Sequence, residues 1–522
     1  MAKSKTIQIE PKTTNPVINL ALDTIKINKQ ALIFVNSKPS AEKQAEEISL
    51  KIKETRPECE KLAEQILKVL SRPTKQCRRL ALCIKKGIAF HHAGLASKQK
   101  EIIEDSFREG KIKIIASTPT LAAGLDLPAF RTIIRDLKRY GPRGMQFIPV
   151  LEYHQMAGRA GRPGKEDYGE AITLAKTTAD KENITEKFIF GEPEQIFSKL
   201  AVEPVLRTYL LSLIATKFVS TRQEILEFFE KTFWAHQFRD MARLESIIDK
   251  MLLLLEEFEF IRSSVSGDFV SGNDLEKGKI KATLLGKRVA ELYVDPLTAY
   301  ELIQSLRFAT SNSSKLIPFS FLHMTCNRLE MRPLLRVKTA EYEKIEELWA
   351  KYEDNLLEEE PNMFEEEYGD FTNSIKTALF MQDWIDESDE ETLLGKYDVR
   401  PGEIRVKLQK TDWLLYCAEE LARIMELKPM LKELARVRFR IKYGVKEELI
   451  PLLKLEGVGR VRARKLFNNG YKDVGAVKSA NVVTLGQLLG PGVAKKIKVQ
   501  LDQGVSVVKK GTRKGQTSLE KY

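Results

Sequence analysis

A regular alternation of short β-branched runs with helical stretches, between residues 30 and 175, constrains the fold of this chain most strongly. Buried strands are predicted at 31–35, 87–92, 111–117, 132–134 and 171–174, with helices at 41–55 and 97–109. Strands that alternate with helices form a parallel sheet covered by helices. We therefore predict a parallel α/β domain. Its ligand-binding groups are expected beyond the carboxyl ends of the strands, namely Asn36, His91, Ser117, Thr118, Arg159 and Arg162.

The segment 153–164 contains the pattern Q-x-x-G-R-x-G-R, formed by Gln155, Gly158, Arg159, Gly161 and Arg162. Its glycines allow close backbone packing, and its spacing directs two guanidinium groups toward one place. Arginines presented in this way bind phosphate, and an arginine finger on a transferring γ-phosphoryl group is worth roughly 10³ to 10⁵ in rate. We predict catalytic roles for Gln155, Arg159 and Arg162, with Arg162 at the γ-phosphate and Arg159 next to it.

Only part of a nucleotide site is present in the sequence. Five Gly-Lys pairs begin at residues 110, 164, 278, 286 and 395, and each lacks the Ser or Thr and the upstream glycine of a phosphate-binding loop. The sequence also has no strand-terminal Asp-Glu pair of the kind that positions magnesium and the attacking water. ATP with Mg²⁺ would therefore be bound largely by another domain, and we expect the isolated chain to be inactive in hydrolysis.

Length and composition argue against a membrane protein, a disulfide framework and a zinc site. The 522 residues are enough for several domains. Apolar runs such as 251–255 end far short of the roughly 20 residues of a membrane span, and no apolar segment follows the N-terminal residues. We expect a cytoplasmic protein without a membrane partner. Five scattered cysteines without a C-x-x-C pair predict neither a disulfide framework nor a zinc site, and we predict no metal ligands. The acidic stretch 353–370 is expected to be a solvated connection.

Positive charge is concentrated near the C-terminus. Residues 428–514 contain 21 Lys and Arg against 6 Asp and Glu, an excess larger than the net charge of +12 of the whole chain. Such a field favours nucleic-acid binding, although a solvated basic surface is the alternative. Residues 455–466 match a helix-hairpin-helix pattern whose glycines let the backbone approach a DNA phosphate. The alternative is a helix C-cap followed by a basic helix. The predicted DNA contacts are Gly457, Gly459, Arg460, Arg462 and Arg464.

Four motifs in order, with helicase spacing, resemble those of the archaeal Hjm-type repair helicases, superfamily 2 DNA helicases related to the helicase part of polymerase theta. The motifs are Phe34-Val35-Asn36-Ser37 and the segments 90–95, 117–129 and 155–164. The resemblance covers nearly the whole chain from about residue 15. It implies an α/β RecA-like parallel sheet domain followed by mainly α domains. It also implies that the first RecA-like domain, which carries the phosphate-binding loop, is absent from this sequence.

The domain organisation implied by the resemblance is an N-terminal extension at 1–14, a second RecA-like domain at 15–190, a winged-helix domain at 191–294, a helical ratchet domain at 295–427, a helix-hairpin-helix domain at 428–505 and a disordered tail at 506–522. Within the winged helix we expect a capping box at Ser220, Thr221 and Glu224 and a β-wing between 260 and 280. The last seven residues resemble a sliding-clamp-binding peptide with Gln516, Leu519 and Tyr522 as anchors, although such short patterns also recur by chance.

The resemblance also implies roles for side chains of the motor domain. Gly124, Asp126 and Gly158 would lie at the nucleotide, with Asp126 facing the ribose or the arginines. Thr118 and Thr120 would contact DNA phosphates, which position the nucleic acid without reading its sequence. Turn capping is the alternative for Asp126 and the two threonines.

A β-hairpin is expected between residues 134 and 150, where the resembled family wedges the duplex apart. Tyr140, Met145 and Phe147 would form its apolar tip and stack on an unpaired base, a contact worth roughly 1 to 3 kcal/mol. An ordinary surface hairpin is the alternative.

A helix that begins at Pro401 carries Trp413, which the resemblance places against single-stranded DNA, although a tryptophan on a helix is usually a core residue. Arg405 is the expected accompanying cation. It lies about 80° around the helix from Trp413, whereas Gln409 lies one turn away on the same face, so the partner of Trp413 is left open.

These features predict the C-terminal part of an ATP-dependent 3′-to-5′ DNA helicase that unwinds forked or stalled replication intermediates in DNA repair. The polarity and the substrate follow from the resemblance alone. The expected partners are forked DNA with a single-stranded 3′ tail, a P-loop RecA-like domain or subunit, and a sliding clamp. The sequence leaves open whether the missing domain is a separate subunit or was lost by truncation. The alternatives are a clamp-recruited DNA-binding adaptor without catalysis and a relative of RNA helicases.

Overall fold

The predicted alternation of strands and helices builds the first of two structural units. The computed structural model describes residues 7–70, 72–122, 124, 126–141, 144–263, 278–311, 316–362, 364–365 and 367–502. The chain divides into a first unit, Met1–Ile196 with Glu390–Val406, and a second unit, Phe197–Asp389 with Lys407–Tyr522.

The first part of the chain contains seven strands and seven α-helices among the residues that the structure describes. In order they are α1 Pro16–Lys26, β1 Ala31–Phe34, α2 Lys38–Leu50, α3 Pro57–Lys68, α4 Lys75–Ile84, β2 Ile88–His91, α5 Ser97–Arg108, β3 Ile114–Ser117, β4 Arg131–Ile134, β5 Lys138–Gly141, β6 Gly144–Phe147, α6 Val150–Ala157, β7 Glu170–Thr173 and α7 Thr178–Ile184.

Five of these strands form one parallel sheet in the order β2-β3-β1-β4-β7. In the centre, Ala31 of β1 pairs with Ile114 of β3 on one side and with Arg131 of β4 on the other. Every residue of β1, β2, β3 and β4 is buried, because helices cover both faces of the sheet and near-continuous apolar runs can then fill the core. This sheet, with a mainly helical remainder, confirms the predicted fold class.

The rest of the chain is mainly helical. Its elements are α8 Glu203–Ala215, α9 Arg222–Glu230, α10 Phe233–Phe238, α11 Met241–Glu257, β8 Ile261–Ser263, β9 Ile280–Ala282, α12 Leu284–Leu292, α13 Pro296–Ser311, α14 Pro318–Cys326, α15 Tyr342–Trp349, α16 Glu367–Ile385, α17 Glu390–Tyr397, α18 Pro401–Ile424, α19 Lys428–Tyr443, α20 Arg460–Asn468, α21 Val474–Ser479, α22 Val482–Leu489 and α23 Pro491–Asp502. Of these, α17 and the first residues of α18 belong to the first unit.

Two local features of the second unit, a helix cap and a strand pair, lie where the sequence predicted them. Thr221 caps α9 by accepting a hydrogen bond from the backbone N–H of Glu224, whose carboxylate in turn accepts from the backbone N–H of Ser220. The antiparallel pair of β8 and β9 lies where a wing was predicted, and the residues between these strands lie outside the described part of the chain. All five cysteines are buried free thiols. Among the described residues, no helix has the length and apolar character needed to cross a membrane.

Candidate functional site

Arg162 is held at the amino edge of the sheet by two internal partners. Its Nε lies 3.2 Å from Glu166 Oε2, its Nη2 pairs with the other oxygen of that carboxylate, and its Nη1 donates to Gln30 Oε1. Burial raises the pKa of Glu166, but the hydrogen bonds and charge of Arg162, together with the charge of Lys29, lower that pKa below its usual value. Arg162 is therefore anchored to a carboxylate that stays ionised.

Gln30 fixes the position of this anchor relative to the strands. It directly precedes β1, and its Nε2 donates to the carbonyls of Phe107, in the last turn of α5, and of Ile112, just before β3, both 2.7 Å away. The amino ends of parallel strands meet at one edge of a sheet, so Arg162 lies at the amino edge. The expectation that the arginines lie beyond the carboxyl ends with Asn36 and His91 is therefore wrong for Arg162.

The direction of α6 explains this placement. β4 ends at Ile134, the hairpin of β5 and β6 follows, and α6 then runs back toward the start of β4. Beyond the helix, the backbone N–H of Gly161 donates to the carbonyl of Ala129, 2.6 Å away, and Ala129 donates in turn to the carbonyl of Arg159. Ala129 lies just before β4, so the turn that carries both arginines lies at the amino edge, and the carboxyl-edge expectation is wrong for Arg159 as well.

Arg159 joins this turn to the loop that follows β3. Its Nε and Nη2 donate to the carbonyl oxygen of Ala122 at 3.1 and 2.5 Å, and its Nη1 lies 3.8 Å from Asp126 Oδ1. The Asp126 side chain is 96% exposed. Asp126 thus lies near an arginine, and its proposed place at the nucleotide stays a prediction. Gly124 is exposed and has φ +79°, a left-handed conformation that favours glycine. Gly158 ends α6.

A cleft of about 740 Å³ lies at the carboxyl edge of the same sheet. The hydroxyl oxygens of Thr118 and Thr120, 3.0 Å apart, share this cleft with Gln155. Other residues that line it are Asn36, Ser37, Lys38, Ala93, Arg139 and Glu152. Both cations have carboxylate partners in the first unit, since Lys38 pairs with Glu403 and Arg139 with Glu152. Hydroxyl and amide groups are therefore available for phosphate contacts. Gln155, expected at the nucleotide, lies with the two threonines.

The predicted hairpin is formed by β5 and β6, with Tyr140 opposite Met145 and Lys138 opposite Phe147. Tyr140 and Met145 are 79% and 59% exposed. Phe147 is more engaged, because its ring lies 5.8 Å from that of Phe188 and receives the ammonium groups of Lys138 and Lys187 at 4.5 and 4.0 Å. Pro142 and Arg143 at the turn lie outside the described residues. The exposed apolar contact is thus offered by Tyr140 and Met145.

We expect Tyr140→Ala to weaken binding of a forked DNA by roughly 1 to 3 kcal/mol, the value of one base stacked on an aromatic ring. Fluorescence anisotropy with a labelled fork measures this loss. Tyr168→Ala is the matched control, because Tyr168 is also an exposed tyrosine of the first unit but packs edge-on against Phe130. Equal affinities of the wild type and Tyr140→Ala for the fork would indicate that this is an ordinary surface hairpin.

In the second unit, Trp413 is half-buried and its Nε1 donates to the carbonyl of Leu292, 3.2 Å away. This bond fixes the ring and leaves part of it accessible. Arg405 and Gln409 are both exposed on α18, so the choice of cationic or amide partner for Trp413 stays a prediction.

The three arginines of the helix-hairpin-helix pattern have different environments. Gly459 caps α20, and Gly457 adopts the left-handed conformation with φ +73°. Arg460 lies over the ring of Trp384 at 5.1 Å and donates to the carbonyl of Ser388. Arg464 forms a bidentate pair with Glu387 and a further bond to Glu448. Arg462 is exposed and donates to the carbonyl of Gly457, 2.7 Å away.

This difference predicts that Arg462→Ala and Arg464→Ala act in different ways. Removing the exposed Arg462 should weaken DNA binding and lower the slope of log affinity against log salt by about one phosphate contact. Removing Arg464 leaves Glu387 without its bidentate partner and should mainly lower the melting temperature. Titrations at several salt concentrations, with thermal unfolding of both variants, measure the two effects. A salt slope that falls only in Arg464→Ala would contradict this assignment.

Sequence reasoning did not identify Gln30 and Glu166 as partners of Arg162. Arg162 and Glu166 carry opposite charges and lie four residues apart across a turn, which is one usable signal for an ion pair. Gln30 carries a weaker signal, a polar residue directly before a buried strand, and its partner is 132 residues away.

Known families match the chain in the same order as its structural elements. The profile of the helicase conserved C-terminal domain matches residues 14–164, a helix-turn-helix domain matches 169–262, domain 4 of archaeal helicases matches 319–444, and a SAM-like helix-hairpin-helix tandem matches 449–503. The parallel sheet and these matches define the class as a superfamily 2 helicase with a RecA-like domain followed by helical domains.

Similar proteins identify the family within this class. ATP-dependent DNA helicase Hel308 of Pyrococcus horikoshii is 37% identical over 502 residues, which cover 95% of this chain and 67% of the relative. The Hel308 proteins of Pyrococcus abyssi and Methanocella arvoryzae are 38% and 36% identical, over 91% and 95% of this chain and 64% and 66% of their own lengths. The chain belongs to the archaeal Hel308-type helicase family, which confirms the resemblance. It spans about two thirds of the length of these relatives.

Proposed function

We propose that this chain is the C-terminal part of an ATP-dependent 3′-to-5′ DNA helicase that unwinds forked or stalled replication intermediates during DNA repair in the cytoplasm. In this proposal a P-loop RecA-like domain binds ATP and Mg²⁺, and Arg159 and Arg162 complete the nucleotide site from the amino edge of the sheet. The winged helix, the ratchet helix with Trp413 and the helix-hairpin-helix bind the DNA.

One observation carries the proposal. The loop that follows β3 starts with Thr118 and Thr120 at the cleft on the carboxyl edge, and the carbonyl of Ala122 in the same loop accepts the hydrogen bonds of Arg159. If a bound phosphate displaced Arg159, the movement would be transmitted through this loop to the hydroxyl groups of Thr118 and Thr120. This connection supports a motor domain in which the nucleotide and DNA contacts are coupled.

The donor inventory of Arg162 is compatible with a phosphate contact. A guanidinium has five N–H groups, and Glu166 and Gln30 occupy three of them. The remaining two, one on each Nη, can point to a γ-phosphate while the carboxylate holds the group from the other side. Such preorganised charge stabilises a phosphoryl-transfer transition state without a cost of reorganisation.

The test is an ATPase assay with forked DNA, with and without a separately supplied P-loop RecA-like domain. We expect little hydrolysis by either component alone and DNA-stimulated hydrolysis by the mixture. Inactivity of the mixture, although both components are folded and bind each other, would argue against the proposal. Competition of a labelled DNA fork by RNA of the same length separates the DNA helicase from an RNA helicase relative.

The internal pairing of Arg162 favours one alternative, an adaptor that binds DNA and a sliding clamp without catalysis. In such an adaptor Glu166 and Gln30 would satisfy the charge and hydrogen bonds of Arg162, and no bound nucleotide would be required. Such an adaptor would keep all its DNA affinity and partner recruitment after Arg159 and Arg162 are both replaced. The proposed clamp anchors Gln516, Leu519 and Tyr522 lie outside the described residues. A peptide of the last seven residues, titrated with a sliding clamp, would test that contact separately.

A further inference from the structure

The first turn of α18 makes a backbone contact with the loop that follows β2. The N–H of Gly402 donates to the carbonyl of Gly94, 3.0 Å away. A Cβ atom at Gly402 would lie 2.6 Å from the carbonyl oxygen of Leu95 and closer still to that of Ala93. A Cβ atom at Gly94 would lie 2.5 Å from Cδ of Arg400. Glycine is unfavourable in a helix relative to alanine, and the close approach of the two backbones explains why Gly402 is needed here.

A buried carboxylate reinforces this contact. Glu42 of α2 is 5% exposed and lies within 3.4 Å of nitrogens on four side chains, those of Gln76, Arg79, His92 and Arg400. Burial raises its pKa, but the hydrogen bonds from His92 and Gln76 and the charge of Arg79 outweigh burial and lower it to about 2. Glu42 is therefore ionised at neutral pH and links α2, α4 and the loop after β2 to Arg400, just before α18.

Two further contacts fix residues 390–406, and a third orients His92 toward Glu42. His92 Nδ1 accepts from the backbone N–H of Gly94, which leaves Nε2 as the nitrogen that faces Glu42 at 3.2 Å. Lys38, at the start of α2, pairs with Glu403. Glu391 accepts from the backbone N–H of Lys75 at the start of α4. Residues 390–406 are thus attached to the motor sheet at several separate points.

The exposed Arg405 follows this attachment by three residues, which is about 4.5 Å along a helix axis. We propose that Gly94 and Gly402 form a fixed joint that positions Arg405 on the same rigid body as the motor sheet, so that its contact with a single-stranded DNA phosphate moves with that sheet. Gly94 and Gly402 are positioning residues in this view. The inference rests on the proposed function, because it assigns Arg405 a strand contact.

A double-mutant cycle on the full chain tests the joint without ATP. Arg405→Ala should weaken binding of a labelled single strand about tenfold in the wild-type background, as expected for loss of a charged hydrogen bond. The same substitution should weaken binding by less than about twofold in a Gly402→Ala background, because Gly402→Ala has already displaced Arg405 from the strand. Gly395→Ala is the matched background control, since a Cβ at Gly395, in the same segment, meets nothing within 4 Å. The tenfold loss should persist there.

Gly94→Ala provides a second background in case Gly402→Ala does not fold. Its new Cβ meets side-chain atoms of Arg400 and His92 rather than backbone carbonyl groups, so the expected strain is smaller, and thermal unfolding reports whether each variant is folded. The proposed joint would be contradicted if Arg405→Ala weakened DNA binding equally in every background. It would also be contradicted if Arg405→Ala did not weaken DNA binding in the wild-type background. The cycle measures DNA affinity alone. A failed ATPase reconstitution would therefore reject the helicase function without changing the interpretation of the cycle.

Discussion

Replacing both Arg159 and Arg162 with alanine should lower the rate constant of ATP hydrolysis by about 10³-fold or more, measured at saturating forked DNA with a P-loop RecA-like domain supplied. The physical reason is the loss of two fixed positive charges at the amino edge of the sheet, where they would offset the negative charge that develops on the transferring phosphoryl group. Affinity for the fork should change much less, because the cleft lined by Thr118 and Thr120 lies at the opposite edge.

The matched control is Arg108→Ala. Arg108 is an exposed arginine at the end of α5 that pairs with Asp105 at 2.8 Å, and exposed pairs of this kind contribute about 0 to 1 kcal/mol. We expect its ATPase rate to equal that of the wild type. A loss of less than about tenfold in the double variant would contradict the role of an arginine finger, for which larger effects are typical.

Gly169→Ala should have the second largest effect, on both stability and activity. A Cβ atom there would lie 2.5 Å from the carbonyl carbon of Ala160 and closer still to the backbone of Gly161, and neither can move like the end of a flexible side chain. Overpacking of this kind costs about 3 kcal/mol. Because the displaced backbone lies between Arg159 and Arg162, we also expect ATP hydrolysis to fall more steeply than DNA binding.

Hydrogen exchange of the amides in β4 and β7 is the suitable probe for this variant, because all four tryptophans lie in the second unit and their fluorescence would not report on the sheet. Gly395→Ala again serves as the control, with a neutral or slightly stabilising effect expected in the open environment of that residue. Wild-type protection of β4 in Gly169→Ala would show that the turn accommodates the methyl group.

The parallel sheet could be predicted because its signal is local. Continuous apolar runs mark the strands, and the observed strands begin or end within three residues of the predicted ones, as for 111–117 against Ile114–Ser117. The start of α2 was predicted at residue 41, whereas the helix begins at Lys38. Ser37 caps it by accepting from the backbone N–H of Ser40, and Pro39 is tolerated in the first turn because it needs no donor there.

The edge of the sheet at which Arg162 lies could not be predicted in the same way. The motif shows that two arginines follow a helix, but it does not show which way the helix runs, since that depends on the hairpin before it. The bonds that hold Arg162 to Gln30, and those that hold residues 390–406 to α2, α4 and the loop after β2, join residues far apart in sequence. Local pattern therefore selected candidate residues, and only the fold shows which of them meet.

The central claim is that this chain supplies Arg159 and Arg162 to a nucleotide held by a P-loop domain. Its most direct test is the affinity between the chain and a P-loop RecA-like domain with and without ADP and aluminium fluoride, which imitates the transferring phosphoryl group. The claim predicts that the analogue strengthens association of the wild-type chain and has no such effect on the chain with both arginines replaced by alanine. Equal strengthening of both chains, or none for the wild type, would contradict it.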